Sequence, residues 1–123
     1  MRKGDRDAEG PVISGFSGRG FRVDGGVYEG LLITPERADG WTPPPVAALG
    51  EGHLAPLLAL DPLPEFIILG TGAAMARPSA ALLAALSARG VGLDFMDSRA
   101  AARLWGVLRA ERRWIGAALY PLD

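Results

Sequence analysis

Three apolar runs in the second half of the chain constrain the fold more than any other feature. FIIL at 66–69, VGLDFM at 91–96 and RWIGAALYP at 113–121 are short and bounded by Gly, Pro or charged residues. A continuous apolar run such as FIIL suits a strand covered on both faces. Between the first two runs, residues 79–89 read SAALLAALSAR, with Leu82, Leu83 and Leu86 on one helical stripe. Ser79 is placed to cap that helix, and Gly90 to end it. Between the second and third runs, Ala101, Leu104, Trp105 and Leu108 recur at helical spacing towards Ala110, with Asp97 or Ser98 as the cap. The order is β-α-β-α-β. A right-handed crossover then makes the strands at 66–69 and 91–96 parallel.

The first half has a different grammar. Phe21 and Val23 alternate with Arg22 and Asp24, the period of a half-buried strand. Asp24-Gly25-Gly26 supplies a hairpin turn, VYEGLLIT reads as one return strand, and Pro35 ends it. ADGWTPPPVAALGEGHL reads as a loop, because Pro43, Pro44 and Pro45 oppose helix and sheet alike. A short helix is expected from Pro56 to Leu60, with Leu57, Leu58 and Leu60 on its apolar face. The fold class is therefore α/β: a β-hairpin region followed by β-α-β-α-β, with helices packed on a mixed sheet.

A length of 123 residues suits one domain, assigned to 11–123, with residues 1–10 as a solvated, flexible tail. A chain of this size buries about two-thirds of its unfolded surface. Thirteen basic residues against fourteen acidic ones give a net charge of −1, so no strongly basic face marks nucleic acid as the main partner. With no cysteine, disulfides, thiol nucleophiles and cysteine-ligated metals are excluded. His53 is the single histidine, so a triad or a multi-histidine metal centre would have to pass through it, and its surroundings offer neither. No apolar run reaches the roughly 20 residues of a membrane span, and the first ten residues lack a signal peptide's apolar stretch. The expected location is the cytoplasm.

Gly70-Thr71-Gly72, at the end of FIIL, opens like a phosphate-binding loop. The dinucleotide fingerprint needs a third small residue, and that position holds Met75. Pro78 delays the following helix, and no Lys-Ser/Thr follows to make a P-loop. Glycines at a sharp strand end account for the same pattern. Asp97 falls at the C-terminal end of a parallel strand, where α/β folds place ligands. Arg99 and Arg103, four apart, share a helix face that could hold an anion. A candidate anionic-ligand site therefore comprises Gly70, Thr71, Gly72, Asp97 and Arg103, with Glu111 and Arg113 added if the sheet brings them close. Asp94 and Asp97 lie three apart on a strand and so face opposite ways, which opposes a shared acid–base pair. Trp41, Trp105 and Trp114 read as core or core-edge anchors, and Trp41 beside the proline run is a candidate partner contact if exposed. No catalytic constellation and no metal or cofactor set is complete.

ISGFSGRGFRVDGGVYEGLLITP, the following Trp41, FIILGTG and MDSRAAARLWGVLRAERRWIGAALYP together resemble the Mth938-like, DUF498-type family of small uncharacterised α/β proteins. That family is related to the mitochondrial complex I assembly factor. The resemblance spans about residues 12–121, and Glu111-x-Arg113 before the last strand is part of it. It implies a three-layer α/β domain with a mixed central sheet, no established catalytic activity, no cofactor and a protein partner. The family usually carries Asn where this chain has Gly106. Two functions follow as expectations: a non-enzymatic interaction or assembly protein, or a binder of, or enzyme for, an anionic ligand at the GTG loop.

Overall fold

The computed structural model describes residues 10–123. The tail assigned to residues 1–10 therefore lies outside the described residues except for Gly10. Gly10 packs so closely on Pro35 that a Cβ there would stand 2.0 Å from the Pro35 carbonyl oxygen. The elements are β1 (Ile13–Ser17), β2 (Gly20–Val23), β3 (Gly26–Tyr28), β4 (Leu31–Ile33), β5 (Ala38–Gly40), α1 (Ala55–Leu58), β6 (Phe66–Gly70), α2 (Ala80–Ala88), β7 (Gly92–Met96), α3 (Ser98–Ala110) and β8 (Gly116–Leu119).

Two sheets form. β1-β2-β3 is a small antiparallel sheet, and β5-β4-β8-β6-β7 is the central mixed sheet. β6 runs parallel to both β7 and β8, whereas β4 is antiparallel to β8 and β5. The side chains of β6 show why its run is apolar throughout. Ile68 joins one core with Ala101 and Trp105 of α3 and with Phe21 and Val23 of the small sheet. Ile67 and Leu69 join a second core with Leu82 and Leu86 of α2 and Leu57 of α1. Sheet alternation separates the two sets, so α3 and the small sheet cover one face while α1 and α2 cover the other. This is the expected three-layer architecture. Trp105, 1% exposed, is the largest fully buried side chain. Truncating a buried aromatic of this kind costs about 3–5 kcal/mol.

The caps follow their side chains. Ser79 Oγ accepts the Leu82 N–H, and Asp97 Oδ1 accepts the Ala100 N–H at 2.9 Å. α1 closes at Leu58, two residues short of expectation, and is preceded by a 3₁₀ turn at Glu51–Leu54.

Two expectations are corrected. VYEGLLIT is not one strand: β3 pairs with β2, and β4 pairs with β5 and β8. The break falls at Gly30, where a Cβ would lie 1.9 Å from the Trp41 carbonyl oxygen. Only glycine permits that crossing from the small sheet to the central one. The loop assigned to 38–54 also contains β5. Thr34 Oγ1 accepts the N–H groups of Glu36 and Arg37, which folds the chain back so that Leu31 faces Gly40. Ala-Asp-Gly lacks the alternation of a strand, and its pairing is set by the turn.

Candidate functional site

β8 lies between β4 and β6, and its parallel pairing sets Gly70 opposite Leu119. The segments leaving those strands, Thr71-Gly72 and Tyr120-Pro121, emerge together at the C-terminal edge. The first turn of α3 arrives at the same place. Ser98, fully buried, joins all three. Its Oγ accepts the Gly72 N–H at 2.8 Å and donates to the Tyr120 carbonyl at 2.8 Å, while its own N–H donates to the Gly72 carbonyl. A Cβ on Gly70 would stand 2.8 Å from Ser98 Cα, so the glycine is demanded by the close pass of α3.

The GTG amides are consequently engaged within the protein. Thr71 N–H donates to the Met96 carbonyl at 2.9 Å, and Gly72 N–H donates to Ser98. Thr71 Oγ1 donates to the Ala74 carbonyl at 2.7 Å and accepts the Ala76 N–H at 2.9 Å, which shapes the loop before α2. A phosphate cradle needs such N–H groups pointing outward at the ligand.

What the GTG loop does contribute is wall. Thr71 and Gly72 line a cavity of about 470 Å³ together with Trp41, Pro43, Pro44, Pro45, Tyr120 and Pro121. Trp41 and Tyr120 meet edge to face with ring centroids 5.3 Å apart. Each aromatic is pinned by its polar end: Trp41 Nε1–H donates to the His53 carbonyl at 3.0 Å, and the Tyr120 hydroxyl donates to the Pro44 carbonyl at 2.7 Å. Burial pushes the Tyr120 phenol up to about 12, because the phenolate would lose its solvent. The rim is charged. Arg19 Nε lies 3.0 Å from Asp123 Oδ1, and Arg19 Nη1 lies 3.6 Å from Glu29 Oε1. The arrangement offers an apolar, proline-faced concavity with a salt-bridged margin. Among the described residues, no group of three or more His, Asp or Glu side chains could hold a metal.

The residues named from the sequence part company here. Gly70 is buried at the end of β6 and does not line the cavity, whereas Thr71, Gly72 and Trp41 do. Asp97 sits beside the loop through its neighbour Ser98, and its carboxylate caps α3. Arg103 lines a separate cavity with Phe16 of β1. Glu111 and Arg113 are a correction. Arg113 forms a two-pronged pair with Glu65, which immediately precedes β6, and Glu111 lies at the end of α3 beside it in the chain. The five residues of β6, spanning roughly 16 Å, separate that end of the sheet from the GTG loop. Arg113 holds the Glu65 carboxyl below its ordinary value by donating hydrogen bonds to it.

The sequence does not mark Arg19, Glu29 or Tyr120 as site residues, and it marks Ser98 only as a candidate cap. Tyr120 follows a recognisable strand, but its neighbourhood depends on β8 inserting between β4 and β6, which no local pattern encodes.

Comparison with known proteins places this geometry. Residues 13–120 match the family described as protein of unknown function, DUF498/DUF598. An uncharacterised protein of Rhodobacter capsulatus is 38% identical over 89% of this chain and 84% of its own. The zebrafish NADH dehydrogenase [ubiquinone] 1 alpha subcomplex assembly factor 3 is 31% identical over 91% of this chain and 65% of its own length, so this chain spans just under two-thirds of that relative. The solution structure of a Mth938-like domain from Bordetella pertussis superposes with a TM-score of 0.77 at 22% identity, covering 90% of this chain and 85% of that one. The fold is that of the Mth938-like domains, and the chain belongs to the DUF498/DUF598 family.

Proposed function

We propose that this protein is a cytoplasmic, non-enzymatic interaction or assembly module that holds a protein partner at the mouth walled by Trp41, the three prolines and Tyr120. The observation that carries this reading is the Trp41–Tyr120 pair under the proline strap. Aromatic side chains in a concave, apolar centre with a charged margin have the anatomy of an interface hot spot. Both rings are held by hydrogen bonds of their own, so a partner would not have to order them on binding. Relatives named as assembly factors for NADH dehydrogenase support the same class of role. Among the described residues, no helix is long and apolar enough to cross a membrane.

Affinity capture from the native cell tests the proposal, with the wild-type chain set against Thr42→Arg. Thr42 is exposed on the cavity wall, so the arginine obstructs the mouth without removing packing. A partner enriched by the wild type should be lost by the variant at unchanged thermal stability. Equal capture by both would refute the assignment.

A second reading is favoured by one dimension. About 470 Å³ lies within the usual range of small-molecule sites, and Thr71 and Gly72 line the cavity. An anionic ligand there would meet Arg19, the single cation of the lining among the described residues. In a thermal-shift panel of nucleotides and anionic metabolites, a ligand at 100 times its dissociation constant stabilises by about 2.7 kcal/mol. Arg19→Ala should abolish such a shift, and a flat panel removes this reading.

A further inference from the structure

Beyond the first turn of α3, the helix and β1 run side by side without closing on each other. Two cavities of about 250 and 240 Å³ lie between them, and both are lined by Gly106. They are two parts of one groove. One wall is the chain from Gly10 to Phe16, and the other is the face of α3 from Ala102 to Ala110. Gly106 leaves the groove open at its centre, since a Cβ added there would meet no atom within 4 Å. Trp105 lines it beside Gly106, and Val12 stands exposed on the opposite wall.

Among the described residues, the charged side chains that line the groove are arginines. They are Arg103 and Arg109. Arg109 donates to the Arg113 carbonyl at 2.7 Å. Arg103 is exposed and has no hydrogen-bond or ion-pair partner among the described residues. Arg99, one turn earlier, lies over the Phe16 ring at 4.8 Å and extends the basic margin. β1 is an edge strand, paired with β2 alone. Edge strands carry a row of unpaired N–H and C=O groups that an added strand can use.

We propose that this groove docks an extended acidic segment of a partner protein, laid along β1, with an apolar side chain over Gly106 and a carboxylate on Arg103. An extended segment fits because seven residues of wall, Gly10 to Phe16, span roughly 20 Å. Acidic character fits because Arg103 stands exposed on the groove with Arg99 one turn away, and complementary charge selects the partner. This surface is separate from the Trp41–Tyr120 mouth, and the two assignments stand or fall independently.

The test is selection of a displayed library of random 12-residue peptides on the full-length chain, followed by fluorescence anisotropy of enriched peptides. Enriched peptides should be rich in Asp and Glu around an apolar residue and should bind more weakly as salt rises. Arg103→Glu should weaken them about tenfold or more. Gly106→Leu, which fills the groove at an open helical position, should do the same, while Thr42→Arg at the other site should leave binding unchanged. Circular dichroism and cooperative melting at or above the wild-type temperature confirm that each variant is folded. Neutral or basic winners, no enrichment, or acidic peptides indifferent to both groove variants would overturn the proposal. So would a concentration-dependent dimer in light scattering that Gly106→Leu disrupts, since the occupant would then be a second copy of this chain.

Discussion

The Tyr120 hydroxyl reaches back across 76 residues of sequence to the Pro44 carbonyl at 2.7 Å. One end of that bond is the strand exit beside the GTG loop, and the other is the proline strap. The bond holds the two walls of the mouth together, and Trp41 stacks edge-on against the same ring.

Tyr120→Phe keeps the ring and removes the donor. It should cost about 1 kcal/mol in urea unfolding and loosen the strap. It should also change the alkaline limb of stability. Burial raises the folded phenol from 10.0 to about 12, so the unfolded chain loses its proton first. The stability contributed by the neutral phenol is complete below the ordinary tyrosine value and is lost as pH rises from there through about 12. The phenylalanine variant should show a shallower alkaline decline than the wild type. Parallel declines would mean that Tyr120 is solvated.

Ser98 is a buried junction, and Asp97 beside it is a surface cap. Ser98→Ala strands the Gly72 N–H in the interior and should cost about 1–3 kcal/mol, read as a lower urea midpoint at constant slope. Asp97→Ala removes one cap and should cost about 1 kcal/mol. If Ser98→Ala proved the milder change, the junction would not be organising this end of the sheet.

Two glycines should respond oppositely to alanine. Gly106→Ala places a methyl in open space within α3 and should stabilise by roughly 0.5–1 kcal/mol. Gly70→Ala drives a Cβ to 2.8 Å from the Ser98 backbone and should destabilise by about 1–3 kcal/mol. Thermal unfolding of the pair distinguishes a helix lacking a side chain from a strand that cannot accept one.

At the opposite end of the sheet, the hydrogen bonds from Arg113 lower the Glu65 carboxyl. Its contribution is present above the ordinary carboxylate range and is lost as pH falls through the depressed value. Glu65→Gln should therefore flatten part of the acid limb, and added salt should shrink the difference. Identical acid limbs would show the pair to be thermodynamically silent, as many exposed pairs are.

The elements with strong periodicity were legible in the chain. FIIL, the α2 stripe and the α3 stripe state their partners through burial, and Ser79 and Asp97 state their caps through hydrogen bonds to the following turn. β5 was not legible, because Ala-Asp-Gly is a strand only through the Thr34 turn and its pairing with β4. The break at Gly30 was not legible either, because the clash that forbids a side chain there comes from Trp41, which only the β4–β5 pairing brings opposite Gly30. The candidate site shows the same division. Trp41, Thr71 and Gly72 stood out by residue type. Tyr120, Arg19 and Glu29 join them only through sheet order, and Glu111 and Arg113 leave for the same reason.

The central claim is that a protein partner sits in the Trp41–Tyr120 mouth. Site-specific photocrosslinking in the native cell tests it most directly, with a benzophenone amino acid placed at the exposed position 42 and, as control, at exposed position 94 on β7. The account predicts a discrete protein adduct from position 42 that position 94 does not give. Absence of an adduct at 42, or equal adducts from both positions, would contradict it.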